Sequence, residues 1–249
     1  MKKTLILIPS RMAASRLPGK PLLKINNLSI VSHVFKRAEE ANIGEVVVAA
    51  ADQEIVEDVL KNGGRAILTN SNHKTGTDRI FEAYKKLDIK NVDYILNLQG
   101  DEPDINKEDI INLNNLMVTE NAELGTLAAK IEDGKMLNNR NVVKVITDKK
   151  LVENNFPTAL NFTRDNPSTD NQNIYHHIGI YSYKVSVLEK FVSLEQTSNE
   201  KINKLEQLRA LDNMLKINVA LARSSPIGVD TEEDYLAIKK IIEYKISDE

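Results

Sequence analysis

An α/β fold is predicted, with a mixed, mostly parallel sheet carrying helices on both faces, and two features predict it. Short apolar runs alternate with amphipathic stretches of helical period through the first half of the chain. The first of these runs, residues 4–8, passes directly into a loop holding three cations, Arg11, Arg16 and Lys20, interleaved with Ser15 and Gly19. A cationic loop at the carboxyl end of a buried parallel strand lies where open α/β sheets bind their ligands.

The elements follow in order. Residues 4–8 form the first strand, and 30–41 have helical period, with Ile30, Val34, Ala38 and Ala41 on one stripe. Residues 45–51 form a second strand ending at Asp52. A helix over 55–61, closed by Gly63 and Gly64, leads to a third strand at 65–68. Residues 77–87 are helical, burying Ile80, Phe81, Tyr84 and Leu87, and 94–98 form a fourth strand that runs into Gln99-Gly-Asp-Glu-Pro103. In the second half 124–131 and 142–146 read as strands, whereas 154–172, with Pro157 and Pro167, is polar and irregular. Residues 175–183 read as a strand, 205–216 as a helix and 219–222 as a strand. Residues 231–244 read as a closing helix, capped by Thr231 with Asp234 three positions on. This is the pattern of one domain over residues 1–249, with an elaboration near 130–185 that serves the ligand site or a subunit contact.

Composition narrows the function. The chain has 249 residues and a formal net charge of -3, with 28% charged and 41% hydrophobic residues, as in an ordinary soluble globular protein. No apolar run is long enough for a membrane span, and the opening run stops at Pro9-Ser10-Arg11, too short for a secretory h-region. A cytoplasmic protein is expected. The absence of cysteine excludes disulfides, thiolate nucleophiles and cysteine-bound zinc, and slight acidity argues against nonspecific nucleic-acid binding.

Against that acidity, a loop with two guanidinium groups and an ammonium is suited to a polyphosphate. Arginine grips phosphate oxygens in a fork, lysine adds a point charge, and Gly19 allows close backbone approach. The glycine spacing is neither that of a Walker A loop nor that of a dinucleotide fingerprint. Asp101 follows the fourth strand at once, so its carboxylate projects at the same sheet edge and is a candidate for Mg2+ shared with phosphate oxygens. Its alternative role is that of a turn-former. Asp230 is a candidate second ligand, or else a charge beside a helix N-terminus. Alternation along 175–183 places His177, Gly179, Tyr181 and Tyr183 on one face and His176, Ile178 and Ile180 on the other, so the adjacent histidines make a poor chelate. The face with His177 and Tyr181 is suited to a polar ligand, or to a half-buried strand with satisfied polar groups. His33 and His73 have no partner at metal-binding spacing.

Six blocks, taken together, carry a resemblance: residues 8–22, His73-Lys-Thr-Gly-Thr-Asp-Arg79, Asn97-Leu-Gln-Gly-Asp-Glu-Pro103, His177-Ile-Gly-Ile-Tyr181, Leu205-Glu-Gln-Leu-Arg209 and Gly228-Val-Asp-Thr231. In this order they resemble the 3-deoxy-manno-octulosonate cytidylyltransferase, or CMP-Kdo synthetase, family over nearly the whole chain. The resemblance implies a Rossmann-like nucleotide-diphospho-sugar transferase fold, usually dimeric, that uses Mg2+ and joins CTP to Kdo for lipopolysaccharide assembly. It implies that Arg11, Ser15, Arg16 and Lys20 hold the triphosphate, Arg79 the nucleotide, and Asp101 with Asp230 the metal. Arg16, Lys20, Asp101 and Asp230 would then be catalytic. Gln99, Arg164, His177, Tyr181, Glu206 and Gln207 fall where the family contacts its sugar acid. The looser block at 163–167 leaves open a related acid sugar such as 8-amino-Kdo. A non-catalytic nucleotide-binding regulator is the alternative of another class, which the Asp101/Asp230 pair disfavours.

Overall fold

The first strand, β1 (Thr4–Ser10), is buried along its whole length at the centre of a nine-stranded sheet. The computed structural model describes residues 2–13, 16–167 and 173–247. A small hairpin, β2 (Lys24–Ile25) and β3 (Leu28–Ser29), precedes α1 (Ile30–Glu40), whose N-cap Ser29 accepts from the Ser32 N–H. There follow β4 (Gly44–Ala50), α2 (Gln53–Lys61), β5 (Ala66–Leu68), α3 (Gly76–Leu87) and β6 (Tyr94–Asn97), the alternation read from the sequence. The second half holds α4 (Lys107–Thr119), β7 (Leu124–Ala129), α5 (Lys135–Asn138), β8 (Lys144–Thr147), β9 (Ala159–Thr163) and β10 (Ile174–Lys184). It closes with α6 (Val185–Ser193), α7 (Ser198–Asn203), α8 (Leu208–Asp212), β11 (Ile217–Leu221) and α9 (Glu232–Ser247).

The sheet order is β11-β7-β10-β6-β1-β4-β5, with β8 and β9 added beside β10. Parallel pairing joins β1 to β4 and β6, β4 to β5, and β7 to β11, whereas β10 runs antiparallel to β6, β7 and β8. Only β10 and β9 are reversed, so the expected mixed, mostly parallel sheet is what forms. Because β1 lies between β4 on one side and β6 on the other, the chain leaves its carboxyl end in two directions and opens a crevice there.

Alternation along the central strands fills two cores. Ile6, Ile8, Val46, Val48 and Leu96 meet α1, α2 and α4 on one face, while Leu5, Leu7, Val47 and Ile95 meet α3, α6 and α8 on the other. A third cluster seats Val229 and α9 residues Ile238 and Ile242 against Ile25 and Ile30, bringing the C-terminal helix back to the N-terminal loop. Tyr235 Oη donates to Lys24 O at 2.7 Å across that contact.

Two sequence expectations are corrected. The stretch read as irregular at 154–172 contains β9, an edge strand paired only with β8; its residues 168–172 lie outside the described ones. The helix expected over 205–216 shrinks to α8, because Met214 adopts φ 59 and the Leu215 N–H turns back to Ala210 O, a left-handed helix ending.

Candidate active site

The loop after β1 closes on itself before it reaches the crevice. Gly19, at φ 72, donates to Met12 O and makes the left-handed turn that starts a 3-10 turn over Lys20–Leu22. Asp52, at the N-cap of α2 just past β4, accepts from the Met12 N–H at 2.7 Å and pins the loop from the neighbouring segment. Two glycines allow the other walls to approach β1: a Cβ at Gly76 would lie 3.1 Å from Pro9 Cγ, and one at Gly100 only 2.8 Å from Pro9 O. The N-terminus of α3 and the turn after β6 therefore both abut the end of β1.

These approaches create a cavity of about 360 Å³ lined by Arg11, Arg16, Lys20, Lys74, Arg79, Gln99, Asp101 and Asp230. The structure thus unites the nucleotide-side and metal candidates, although Asp230 lies 210 positions from Lys20. Ser15 lies outside the described residues. Lys20 Nζ donates to Asp101 Oδ2 at 2.7 Å and to Asp230 Oδ1 at 3.3 Å, and Arg16 Nη2 pairs with Asp230 Oδ2 at 2.9 Å. The Val229 N–H donates to Asp101 O at 2.9 Å, locking the two acidic segments together. Arg79 is only 2% exposed, and its Nη1 is bonded to Thr69 Oγ1 and Asn70 O. It braces the wall it belongs to. Glu82 holds the same wall, accepting from the Asn70 N–H, His73 Nε2 and Lys86 Nζ.

Among the described residues no three His, Asp or Glu side chains gather as a metal cage. Two carboxylates do converge on one cation position, marked by the Lys20 ammonium, and Mg2+ commonly takes one or two protein carboxylates and completes its shell with phosphate and water. The donor set fits. Glu102, next to Asp101, is pushed up to about 8 by burial and by the Asp101 charge, and its Oε2 is buried without a partner.

The acid-sugar candidates lie behind this mouth, on the sheet face covered by α3, α6 and α8. Gln99 separates the two regions, donating from Nε2 to Gly179 O at 2.9 Å. A register shift between Ile178 and Tyr181 interrupts β10, yet the expected faces hold: His177 and Tyr181 rings stand 5.5 Å apart, and Ile178 and Ile180 pack in the opposite core. Thr126 fills the bulge. Its hydroxyl proton goes to Ile180 O at 2.7 Å, so His177 donates to it from Nε2 at 3.1 Å. Burial pushes His177 down to about 3, making it a neutral hydrogen-bonding group at working pH.

Glu206 Oε2 accepts from Thr77 Oγ1 at 2.9 Å, and burial pushes its carboxyl upward. Tyr181 Oη, Glu206 Oε1 and Asn97 Oδ1 are buried with no hydrogen-bond partner, although the Arg209 guanidinium stands 3.6 Å from Glu206 Oε1. Gln207 is buried at the head of α8, and Arg164 reaches from β9 to Asn203 O and Arg140 O. His177, Tyr181, Glu206, Gln207 and Arg164 do not line the cavity at the crevice. His176, on the other face, bonds Ser225.

Sequence reasoning missed Asn97, Thr126 and Thr77. Asn97 stands across from Tyr181, and a polar residue inside the apolar run 94–98 was its one visible signal.

Comparison with known proteins now bears on this geometry. A family model described as Cytidylyltransferase matches residues 5–217. The 3-deoxy-manno-octulosonate cytidylyltransferase of Afipia carboxidovorans is 43% identical over 240 residues, covering 96% of both chains. That of Thermodesulfovibrio yellowstonii is 42% identical over 255 residues, covering 96% of this chain and 98% of its own. The chain belongs to the 3-deoxy-manno-octulosonate cytidylyltransferase family. A solved structure of CMP:2-keto-3-deoxy-manno-octonic acid synthetase complexed with CTP is 33% identical to this cytidylyltransferase family member, with a TM-score of 0.89 over 98% of this chain and 100% of that one. UDP-glucose pyrophosphorylase complexed with UDP-glucose, at 14% identity and a TM-score of 0.73, shares the fold alone. The nucleotidyltransferase fold and family implied by the six sequence blocks are both upheld. Asp230 lies beyond the residues matched by the family model, so its place in this cytidylyltransferase rests on the geometry.

Proposed function

We propose that the protein transfers the cytidylyl group of CTP to the anomeric hydroxyl of Kdo, giving CMP-Kdo and pyrophosphate. The observation that carries this reading is the junction at Gln99, where a cationic mouth meets a cluster of buried polar side chains whose hydrogen-bonding capacity is not filled. Arg11, Arg16 and Lys20 receive the triphosphate. Positioning and charge neutralisation supply the catalysis of an in-line displacement at the α-phosphorus, and Arg16 and Lys20 stabilise the departing pyrophosphate. Tyr181, Glu206, Asn97 and neutral His177 meet the sugar hydroxyls, and Arg164 the acid. Mg2+ held by Asp101 and Asp230 would neutralise phosphate charge and raise the acidity of the attacking hydroxyl. Residues 1–249 act as one domain, and the product supplies lipopolysaccharide assembly in the cytoplasm. The working unit is a homodimer, for which β9, an edge strand exposing Leu160, is the candidate contact. Among the described residues no helix is long and apolar enough to cross a membrane.

Pyrophosphate release with CTP, Mg2+ and a panel of sugar acids tests the reading. Kdo is expected to be the preferred acceptor, and release from another acid sugar but not Kdo overturns it. Asp101→Asn and Asp230→Asn are each expected to remove most activity, and the double variant to be scarcely worse than the poorer single one, since both act through one ion. Independent multiplicative losses refute the shared ion.

A further inference from the structure

The carboxylates of Asp101 and Asp230 face a cation that the chain itself supplies. Lys20 Nζ stands 2.7 Å from one and 3.3 Å from the other, and its side chain is 14% exposed, far less than the 59% of Arg16. We propose that Lys20 is a built-in counter-ion that occupies the metal position of the ligand-free protein, so that a divalent cation gains the site only after a nucleotide triphosphate draws Lys20 away. This inference rests on the reading of Asp101 and Asp230 as metal ligands.

Two carboxylates directed at one point repel each other unless a cation lies between them, and here an ammonium does. A divalent ion bound by the same oxygens would sit about 2 Å from each, within the space the ammonium fills. The two cations cannot share it. Lysine suits the exchange, because a compact charge on a flexible four-carbon stem can turn from carboxylate to phosphate without moving the backbone. Lys20 shares its loop and its cavity with Arg16, a second cation that a triphosphate in the cavity would meet. Nucleotide thereby removes the obstacle to metal, and by linkage metal tightens nucleotide by the same factor. The ligand-free protein keeps its metal position closed to the divalent ions of its surroundings.

Mn2+ binding to the nucleotide-free protein, read by electron paramagnetic resonance of the free ion, tests this without any turnover. Lys20→Gln is expected to bind Mn2+ about tenfold more tightly than the parent, the equivalent of the ion pairs it gives up. Lys20→Met repeats the measurement should the amide side chain disturb folding. Arg16→Gln is expected to gain less, since of the two carboxylates Arg16 pairs with Asp230. Lys74→Gln removes the same charge from the same cavity without touching either carboxylate, and is expected to gain little. Unchanged affinity in both Lys20 variants, or an equal gain in Lys74→Gln, overturns the counter-ion role. Adding Asp101→Asn to Lys20→Gln separates the two ideas. Loss of Mn2+ binding supports the carboxylate site, whereas retained binding means the ion sits elsewhere and the underlying metal reading falls.

Discussion

Replacing Gly100 with alanine tests how the site is held together, because the position is crowded by backbone and not by a movable side chain. An added Cβ would stand 2.8 Å from Pro9 O, 3.4 Å from Ile8 Cγ2 and 3.7 Å from Ser10 Cβ. Pro9 belongs to β1 and is paired with Ala49 of β4, whereas pairing with β6 ends at Leu7, so the turn after β6 yields before the strand does. Restoring an ordinary contact of 3.4 Å from 2.8 Å moves the turn outward by about 0.6 Å. Asp101 is the next residue, and its carbonyl accepts from the Val229 N–H, so both acidic segments shift relative to the cationic loop. A misplacement of about 1 Å at a reacting centre costs on the order of a hundredfold, which puts the expected loss in kcat at roughly tenfold to a hundredfold. The cost in stability is that of overpacking, about 1–3 kcal/mol. Initial rates of pyrophosphate release across a Mg2+ titration, with thermal melts of the same samples, measure both. Gly228→Ala is the control: it lies two residues from Asp230, but its Cβ would meet nothing within 4 Å, and it is expected to retain normal rates. An unimpaired Gly100→Ala enzyme, or an equal loss in Gly228→Ala, would refute the claim that this close approach sets the site.

Two further outcomes follow from groups behind the mouth. Arg209 and Glu200 are each 3% exposed and form a two-point ion pair at 2.8 and 2.6 Å, with the guanidinium 4.7 Å from the Phe191 ring. Arg209→Met is expected to cost about 3–5 kcal/mol by leaving Glu200 buried and unpaired, and Glu200→Met on top of it to restore much of that; additive losses in urea denaturation would contradict this. Stability should also fall in acid below about pH 4.5, because above that value Glu102, raised from 4.5 to about 8, favours the fold as pH falls and opposes the loss from His177. Burial holds His177 at about 3, below its ordinary 6.5, so the unfolded chain binds a proton that the folded one refuses, and the contribution is whole above 6.5 and lost as pH falls toward 3. Burial of Glu82 opposes its ionisation, but hydrogen bonds from Lys86, His73 and Asn70 outweigh it and pull the carboxyl from 4.5 to about 2, adding a limb lost between those values. Relative to the parent, His177→Gln should lose less stability as pH falls from 6.5 toward 3 and keep the Glu82 limb, and a Tm difference that does not change with pH across that window would disprove the assignment.

The elements legible in the sequence were those whose inward residues are all apolar. In α1, Ile30, Val34 and Ala38 are buried in the order their spacing implied. The helix α4 showed no such stripe because it turns Asp109 and Asn114 inward; Asn114 accepts from Thr4 Oγ1 at 2.6 Å, and Asp109 takes the Arg223 N–H at 2.9 Å. Its polar residues anchor the sheet, so periodicity could not reveal it. The helix α6 was hidden differently: it begins at Val185, the residue after β10 ends, with neither glycine nor proline to mark the change. The edge strand β9 buries only Ala159 and Phe162 and so lacks a clear alternation. In the site, the cationic loop and Asp101 were readable because each follows a strand directly. The position of Lys20 between Asp101 and Asp230 was not, since it joins residues 81 and 210 positions apart.

Gln99 divides two kinds of preorganisation. On the crevice side the charges are paired with each other, Lys20 and Arg16 with Asp101 and Asp230, so a triphosphate exchanges one set of ion pairs for another and can enter while the groups remain solvated. On the inner side Tyr181 Oη and Asn97 Oδ1 have already lost water without gaining a hydrogen bond, and Glu206 Oε1 faces Arg209 Nη2 at the long distance of 3.6 Å, a cost met when the chain folds. A ligand that supplies hydroxyls to these atoms recovers that cost on binding, whereas one lacking them leaves the atoms unpaired. Discrimination built from buried polar groups is far stronger than discrimination by shape alone. On the proposed reading the open, exchangeable mouth therefore governs binding order and salt sensitivity, and acceptor choice belongs to the buried polar cluster.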